Sequence, residues 1–218
     1  MELNKYIDST NLKMEATALD ITKLCEDAIK YNFESVCVSP CYVSLAKDLL
    51  EDTNILVGTV VGFPLGISSP KTKQFEATEA AELGADEIDM VINVGALKDK
   101  EYDYVKKEIE GVRDVLDGKT LKVIIETSLL TKEEIIKMTE ICNETFVNFI
   151  KTSTGFGERG ASLEDIDIIN EHKNELLKVK ASGGINSYEE AETFINKGVT
   201  RIGTSNAEKI MKEWEEKE

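Results

Sequence analysis

Histidine is almost absent from this chain of 218 residues, which contains only His172. Hydrolases that pair a serine or cysteine nucleophile with a histidine base are therefore not expected. His172 stands in a polar, helix-like stretch where we expect it to be exposed. No second pair of cysteines or histidines completes a zinc site around Cys37 and Cys41, so we expect no metal site. Nothing in the chain suggests secretion, and we expect four reduced thiols: Cys25, Cys37, Cys41 and Cys142.

Long apolar runs and positive charge are also scarce. No stretch of about 18 apolar residues, the length that crosses a bilayer, occurs. Acids and polar residues run through Met1 to Asp20, unlike a secretory signal, so we expect a cytoplasmic protein without a membrane partner. The formal net charge of −16 repels nucleic acid, and we expect no such partner. An anionic substrate must therefore be held by backbone N–H groups or a few cations.

Apolar, β-branched runs alternate with longer segments of helical period. Strict alternation indicates parallel strands joined by helices, and eight units without a linker favour a barrel. An open, doubly wound sheet would alternate in the same way, but no G-x-G-x-x-G follows the first strand. The sequence predicts an α/β fold, an eight-stranded parallel (β/α)8 TIM barrel, as a single domain over residues 1–218. The predicted strands are Leu3–Asp8, Ser35–Ser39, Ile55–Phe63, Glu87–Val94, Leu121–Glu126, Phe146–Thr152, Leu177–Ser182 and Arg201–Thr204.

Helix boundaries are marked by capping residues. Thr131 begins a capping-box pattern, and Ser162 and Ser187 precede two further helical segments. Gly84 and Gly198 stand where C-terminal caps are expected. The predicted helices are Ala18–Tyr31, Pro70–Leu83, Tyr102–Leu116, Lys132–Cys142, Leu163–His172 and Tyr188–Asn196, and a last helix follows the eighth strand.

Charged residues interrupt three of the apolar strands, at Asp89, Lys151 and Lys180. Reacting groups of TIM barrels lie at the carboxyl ends of the strands, and a buried charge is costly unless it is paired. Lys151 shares a strand face with Phe149, whereas alternation along strand seven does not settle which way Lys180 points. A structural ion pair between Lys151 and Asp89 is one interpretation of this pattern, and catalysis is the other.

The catalytic interpretation requires a neutral amine. The ordinary lysine pKa of about 10.4 keeps the amine charged at neutral pH. Burial and a second cation both disfavour the charged form, and two lysines on adjacent strands would supply both influences. A nearby carboxylate can carry protons while a carbinolamine forms and loses water. Lys151, Lys180 and Asp89 are therefore candidates for Schiff-base chemistry.

Small residues lie at the ends of the last two predicted strands. Gly183 and Gly184 come after strand seven, and the segment from Gly203 to Ser205 ends strand eight, just before the last helix. In barrels these two loops commonly hold phosphate, with help from a helix N-terminus. We therefore expect a phosphate group at this position.

An ordered series of motifs covers nearly the whole chain. Its most specific members are Lys-Thr-Ser-Thr-Gly, beginning at Lys151, and Asp-Met-Val-Ile-Asn, beginning at Asp89. The full series is Ile7–Leu12, Val36–Pro40, Val61–Gly66, Glu87–Gly95, Lys122–Thr127, Lys151–Phe156, Lys180–Ile185 and Arg201–Ser205. In these motifs the chain resembles the deoxyribose-phosphate aldolases of the short bacterial and archaeal type.

The resemblance implies a class I aldolase that reversibly cleaves 2-deoxy-D-ribose 5-phosphate to D-glyceraldehyde 3-phosphate and acetaldehyde, in deoxyribonucleoside catabolism. By motif position, Lys151 would form the Schiff base and Lys180 would lower its pKa. Asp89 would transfer protons together with Lys180 and a bound water. The reaction would need no metal and no organic cofactor. The partners would be the small phosphorylated sugar and acetaldehyde, and the sequence leaves a homo-oligomer, dimer or tetramer, open.

The resemblance also implies substrate-binding positions. Thr10 and Thr154 match positions near the sugar hydroxyls. Cys37 matches a cysteine beside the pocket, although a small buried hydrophobe is the commoner role for a cysteine there. The positions on the phosphate side are Gly155, Gly183, Gly184, Gly203 and Ser205.

The chain departs from the family pattern at three places. Ser9 stands where many members have histidine, and Asn206 stands where a second serine is common. Arg159 lies in a loop that is usually small and rich in glycine, and we expect it to point into solvent rather than to reach the phosphate. Two other functions remain as alternatives: a Schiff-base aldolase with a longer donor, as in transaldolase chemistry, and a non-catalytic sugar-phosphate-binding protein.

Overall fold

The computed structural model describes residues 2–217 and shows a closed barrel of eight parallel strands. Neighbouring strands follow chain order, and the first strand pairs with the eighth. The predicted TIM barrel is therefore confirmed. The strands are β1 (Ile7–Asn11), β2 (Ser35–Val38), β3 (Leu56–Val61), β4 (Glu87–Val91), β5 (Thr120–Ile124), β6 (Phe149–Lys151), β7 (Lys178–Ser182) and β8 (Arg201–Thr204).

Helices surround the barrel. They are α1 (Ala18–Tyr31), α2 (Val43–Leu49), α3 (Pro70–Glu82), α4 (Val94–Lys98), α5 (Tyr102–Asp114), α6 (Lys132–Glu144), α7 (Leu163–His172), α8 (Tyr188–Asn196) and α9 (Ala207–Glu215). Short 3-10 helices occur at Leu3–Tyr6, Pro40–Tyr42 and Thr127–Leu129. Within residues 2–217 no helix could span a bilayer, because the longest, α1, has 14 residues and a spanning helix needs about 20.

The predicted helix caps are present. Thr131 forms the capping box at the start of α6. Ser162 and Ser187 each accept a hydrogen bond from the backbone N–H three residues later. Gly84 and Gly198 have φ angles of 104° and 87°, a left-handed conformation that ends a helix cheaply only at glycine.

The barrel interior is charged, and the apolar core lies between the strands and the helices. Side chains alternate along a strand, and in β4 Ile88 and Met90 belong to the apolar core. Their neighbours Glu87 and Asp89 instead form ion pairs inside the barrel. The same alternation sets Val123, Ile150, Val179 and Ile202 in the core against Lys122, Lys151, Lys180 and Arg201 in the interior. The alternation of side chains along the strands therefore places these charged residues inside the barrel, along its axis.

The first predicted strand was wrong in its first half. The prediction was Leu3–Asp8, but Leu3–Tyr6 is a 3-10 helix and β1 begins at Ile7. Leu3 is fully buried, and the carbonyl of Asn4 accepts a hydrogen bond from the Glu34 backbone N–H at 3.2 Å. The apolar residues at the N-terminus therefore pack as a short turn beside β2 rather than as part of a strand.

Other boundaries also differ from the predictions. β4 ends at Val91, before the predicted Val94, because the Asn93 side chain caps α4 by accepting from the Ala96 backbone N–H at 3.0 Å. β6 is shorter than predicted, since Phe146 is exposed and has a φ of 51°. The helix α2 was not among the predicted helices. The expectation that His172 is exposed was wrong: it is partly buried, with Nδ1 2.9 Å from the Ile168 carbonyl oxygen.

A fully buried ion pair outside the barrel supports the carboxyl end of β4. The Lys73 amine, on α3, lies 2.7 Å from Glu108 on α5 and donates to the Val91 carbonyl at 2.8 Å. The other oxygen of Glu108 accepts from the Asn93 backbone N–H at 2.7 Å. Neither side chain of the pair is exposed. The pair therefore fixes the backbone that follows Asp89 in β4.

Replacing Lys73 with methionine is expected to lower the free energy of unfolding by about 3–5 kcal/mol, because Glu108 would remain buried without its cation. Urea denaturation at pH 7 would measure the change. Lys71→Met is the matched control, since Lys71 is exposed on the same helix and its loss should cost no more than about 0.5 kcal/mol. Equal unfolding midpoints for the two variants would contradict a stabilising role for the pair.

Candidate active site

Asp89, Lys151 and Lys180 meet inside the barrel, where Lys151 is the last residue of its strand and the other two lie in the middle of theirs. Lys151 of β6 and Lys180 of β7 stand side by side in the register of the sheet, and Asp89 reaches them from β4. One carboxylate oxygen of Asp89 lies 2.7 Å from the Lys151 amine and 2.8 Å from the Lys180 amine. All three side chains are at most 4% exposed. Lys180 thus faces the interior, a point that strand periodicity left open.

A third lysine, which sequence reasoning missed, contacts the same carboxylate. The Lys122 amine on β5 lies 3.0 Å from the second oxygen of Asp89 and 2.6 Å from Glu87. Glu87 and Asp89 stand two residues apart in β4 and therefore share a face, but Lys122 lies on another strand and its contact with them depends on the pairing of β4 with β5. Asp89 is consequently held by three lysines at once.

Asp8 and Arg201 were missed as well. Asp8 of β1 lies 2.6 Å from Lys180 and 2.5 Å from Arg201 of β8. Arg201 also lies 3.1 Å from Glu87, and the half-buried Glu34 approaches Arg201 to 3.7 Å. Asp8, Glu87 and Arg201 each fall within a motif or strand already identified, but only closure of the barrel brings them together.

We call the seven buried charged side chains that form ion pairs inside the barrel the barrel charge cluster. Its members are Asp8, Glu87, Asp89, Lys122, Lys151, Lys180 and Arg201. Three carboxylates stand against four cations, so full ionisation leaves one positive charge in excess. A buried, uncompensated charge is costly, and loss of a proton from one member relieves it.

Lys151 is the lysine of the cluster whose pKa falls. Burial is the largest influence and lowers the pKa of the Lys151 amine. The Asp89 carboxylate acts to raise that pKa and the Lys180 cation to lower it, and the net pKa lies below the ordinary lysine value. The direction agrees with the neutral amine that Schiff-base chemistry requires.

The pKa shifts of Lys180 and Asp89 favour their charged forms, whereas the shift of Lys151 favours its neutral form. Burial acts to lower the pKa of Lys180, but the carboxylates of Asp8 and Asp89 outweigh it and hold that pKa above the ordinary lysine value. Burial acts to raise the pKa of Asp89, but Lys122, Lys151 and Lys180 hold it well below the ordinary value. Lys180 is therefore the protonated member of the group, and Asp89 is the ionised one.

A pocket of about 410 Å³ opens beside Lys151. This volume falls in the range of small-ligand sites. Asp89 and Lys180 do not line the pocket, and neither does Cys37, which is 1% exposed on β2. The other substrate-binding residues that the sequence predicted all line it: Thr10, Thr154, Gly155, Gly183, Gly184, Gly203 and Ser205.

Glycines shape the wall formed by the loops after β7 and β8. Gly183 and Gly184 have φ angles of 80° and 78°, a region that other residues seldom adopt. A Cβ atom at Gly160 would stand 1.9 Å from the Gly183 carbonyl oxygen, and one at Gly203 would stand 3.0 Å from Lys180 Cε. Lys13 and Lys151 are the cations among the described residues that line the pocket. A ligand in the pocket would therefore meet mainly backbone groups on this wall and few positively charged side chains.

The three departures from the family pattern have structural roles. Arg159 is exposed, as expected, and does not line the pocket; its guanidinium lies 2.6 Å from Asp165 and donates to the Thr127 carbonyl at 3.2 Å. Asn206 donates to the Asn186 side chain at 2.8 Å and so joins the loops after β8 and β7. Ser9 is buried within β1.

A closed parallel barrel whose pocket opens at the carboxyl ends of the strands, beside the buried Lys151, defines a (β/α)8-barrel enzyme. Residues 3–205 match the profile of the DeoC/LacD family aldolases, and the chain belongs to this family. It is therefore an aldolase, a carbon–carbon lyase. Within residues 2–217 no group of three or more His, Cys, Asp or Glu side chains is placed to hold a metal ion.

Individual relatives agree with the family. The chain is 57% identical over 211 residues to the deoxyribose-phosphate aldolase of Finegoldia magna, covering 97% of this chain and 99% of that protein. The structure of an aldolase designated QR15 is 39% identical, with a TM-score of 0.96, and the match covers 100% of this chain and 97% of that one. The tetrameric deoxyribose phosphate aldolase of Aeropyrum pernix is 30% identical, with a TM-score of 0.91 and coverage of 98% and 91%.

Proposed function

We propose that this protein cleaves 2-deoxy-D-ribose 5-phosphate reversibly to D-glyceraldehyde 3-phosphate and acetaldehyde, through a Schiff base on Lys151. The observation that carries the proposal is the position of Lys151: it is buried beside an open pocket and belongs to a cluster with one cation in excess. The similarity to the deoxyribose-phosphate aldolase of Finegoldia magna supports the choice of substrate. Cleavage in this direction would serve deoxyribonucleoside catabolism.

Bond formation begins at the neutral amine. Nζ of Lys151 attacks C1 of the open-chain sugar aldehyde and forms a carbinolamine. Lys180 supplies a proton through a water, so that the hydroxyl leaves as water and an iminium remains. The three-lysine environment keeps Asp89 ionised, and the charge of Asp89 stabilises the iminium that replaces the free amine.

Carbon–carbon cleavage follows from the iminium. The C3 hydroxyl proton passes through a water to Lys180, now neutral, with Asp89 orienting the relay. The C3–O bond becomes a carbonyl, and the C2–C3 electron pair moves into an enamine while the iminium nitrogen is neutralised. D-Glyceraldehyde 3-phosphate leaves. The same relay protonates C2, water hydrolyses the new iminium, and acetaldehyde and the free amine are released.

The phosphate end of the substrate would lie against the pocket wall formed by the loops after β7 and β8. Gly183, Gly184 and Gly203 allow backbone N–H groups to approach phosphate oxygens, and Lys13 adds positive charge at the rim. Thr10 and Thr154 line the pocket with hydroxyls that suit the sugar hydroxyls. A phosphate held by a few groups fits a protein whose overall charge is −16, because general attraction of anions is absent.

The test is a coupled assay that follows acetaldehyde release from 2-deoxyribose 5-phosphate. We expect turnover with this substrate and none with fructose phosphates, which would yield dihydroxyacetone-type donors. Turnover of the fructose phosphates instead would favour an aldolase with a longer donor. Thermal stabilisation by deoxyribose phosphate without any product would favour a sugar-phosphate-binding protein, and either result would contradict the proposal.

A further inference from the structure

Glu126 is a buried carboxylate outside the barrel charge cluster. It follows β5 directly and is 5% exposed. Its φ of 52° lies in the left-handed region, which residues other than glycine seldom adopt. Sequence reasoning included it in the Lys122–Thr127 motif and gave it no role. A buried acid in such a conformation, next to a ligand pocket, points to a specific task.

The task is visible in its contacts with the loop that follows Lys151. One carboxylate oxygen of Glu126 accepts a hydrogen bond from the Thr154 backbone N–H at 3.1 Å and another from the Thr154 hydroxyl. The second oxygen accepts from the Ser128 hydroxyl at 3.1 Å. A Cβ atom at Gly157 would stand 2.9 Å from that second oxygen, so the loop passes close to the carboxylate. Glu126 therefore holds Thr154 by both its backbone and its side chain.

These contacts determine how the Thr154 hydroxyl can bind a ligand. A hydroxyl has one proton to donate and two positions that accept. Its proton goes to Glu126, and one accepting position is filled by the Phe156 backbone N–H at 3.0 Å. One accepting position remains on a residue that lines the pocket. Thr154 can therefore accept a hydrogen bond from a substrate hydroxyl but cannot donate one.

We propose that Glu126 is a positioning residue: it fixes the Thr154 hydroxyl as an acceptor, so that the pocket selects phosphorylated aldehydes with a hydroxyl beside the reacting carbonyl. The inference rests on the proposed function, because it concerns the acceptor aldehyde of that reaction. Thr154 follows Lys151 by three residues and precedes Gly155, and all three residues line the pocket; the family resemblance assigns Gly155 to the phosphate side. Thr154 thus stands where a hydroxyl between the reacting carbon and the phosphate would lie.

The test compares two acceptor aldehydes in the synthetic direction, with acetaldehyde as the donor. D-Glyceraldehyde 3-phosphate carries the hydroxyl, and 3-phosphooxypropanal has the same length without it. The ratio of their kcat/KM values measures the hydroxyl selectivity. We expect Glu126→Met to lower this ratio by about tenfold relative to the wild type, the usual effect of losing one oriented hydrogen bond. Thr154→Val, which removes the hydroxyl itself, should lower the ratio by a similar factor.

Conservative and control variants separate positioning from a loss of structure. Glu126→Gln keeps an oxygen that can accept from Thr154, while its amide can donate to Ser128, so we expect it to retain the selectivity within about threefold. Glu158→Met changes an exposed acid in the same loop and should behave as the wild type. Borohydride trapping with acetaldehyde, a donor without a hydroxyl, should label Lys151 in the Glu126→Met variant to nearly the wild-type extent.

Two results would overturn the positioning role while leaving the aldolase in place. One is an unchanged ratio in Glu126→Met with an active wild type, and the other is a Glu126→Gln variant that loses as much selectivity as Glu126→Met. Failure of the trapping reaction in Glu126→Met would also overturn it, because Glu126 would then support Lys151 rather than Thr154. A wild-type protein that couples acetaldehyde to neither aldehyde would refute the proposed function, and this inference with it.

Discussion

Lys151→Met is expected to abolish turnover of deoxyribose phosphate, with a loss in kcat of about four to six orders of magnitude, as is typical when a covalent nucleophile is removed. The other two lysines of the barrel charge cluster are not expected to take its place, because buried carboxylates keep Lys122 and Lys180 protonated before the substrate binds. Incubation with acetaldehyde and borohydride should tag the wild type at Lys151 and leave the variant untagged. Peptide mass spectrometry would locate the label.

The same substitution is expected to leave the fold intact. Lys151 is the surplus cation of the barrel charge cluster, and Asp89 keeps Lys122 and Lys180 as partners after its removal. The free energy of unfolding should therefore change by no more than about 1 kcal/mol, well below the cost of breaking a needed buried pair. Retained turnover in the variant, or a tag on a different lysine, would contradict the role assigned to Lys151.

Lys180→Met is expected to damage both catalysis and stability. Lys180 lies 2.6 Å from Asp8 and 2.8 Å from Asp89, and its loss leaves two buried carboxylates with fewer cations. We expect the free energy of unfolding to fall by about 3–5 kcal/mol. Lys178→Met is the matched control, since Lys178 lies on the same strand but is exposed. Chemical denaturation of the two variants at pH 7 would measure the difference.

The pH dependence of Lys180→Met has a defined sign. Burial is the largest cause that lowers the pKa of Lys151, and the Lys180 cation adds to the lowering. Removing Lys180 should therefore raise the pKa of Lys151 and reduce its neutral fraction at any given pH. The acidic limb of the kcat/KM profile should move to higher pH, in addition to the loss of the proton relay. A limb that stays in place, or moves to lower pH, would contradict the electrostatic role of Lys180.

Stability against acid should change in the same variant. Asp89 has a pKa well below its ordinary value, with burial opposing and three lysines lowering it. The stability that this depressed pKa contributes is present above the unfolded value of about 3.9 and is lost as the pH falls through the folded value. Without Lys180 the pKa of Asp89 is less depressed, so acid unfolding should begin at a higher pH than in the wild type.

The fold could be predicted from the sequence because the alternation of strands and helices is visible in local residue patterns. The sequence also exposed Asp89 and Lys151, since a charge inside an apolar, β-branched run is conspicuous. It did not expose Asp8 or Lys122, because their partners lie on other strands and meet only when the barrel closes. The distances between side chains on different strands depend on closure of the barrel and on the register of strand pairing. Neither can be predicted from one segment of the sequence.

The remaining errors have local causes. Leu3 has an apolar side chain whatever its backbone conformation, so its pattern cannot distinguish a strand from the 3-10 turn that the structure contains. The sequence predicted Glu126 as the last residue of a strand. Its contacts with Thr154 depend on how the loops after β5 and β6 pack together.

A titration of the Lys151 side chain tests the proposed chemistry most directly. Lysine labelled with ¹³C at Cε can be followed by NMR from neutral to alkaline pH, and the resonance of Lys151 is identified by its absence from the Lys151→Met spectrum. We expect its amine to titrate below the ordinary lysine pKa of about 10.4, because burial lowers that pKa and Lys180 lowers it further. A pKa at or above the ordinary value would leave no neutral amine to attack the aldehyde and would contradict the mechanism.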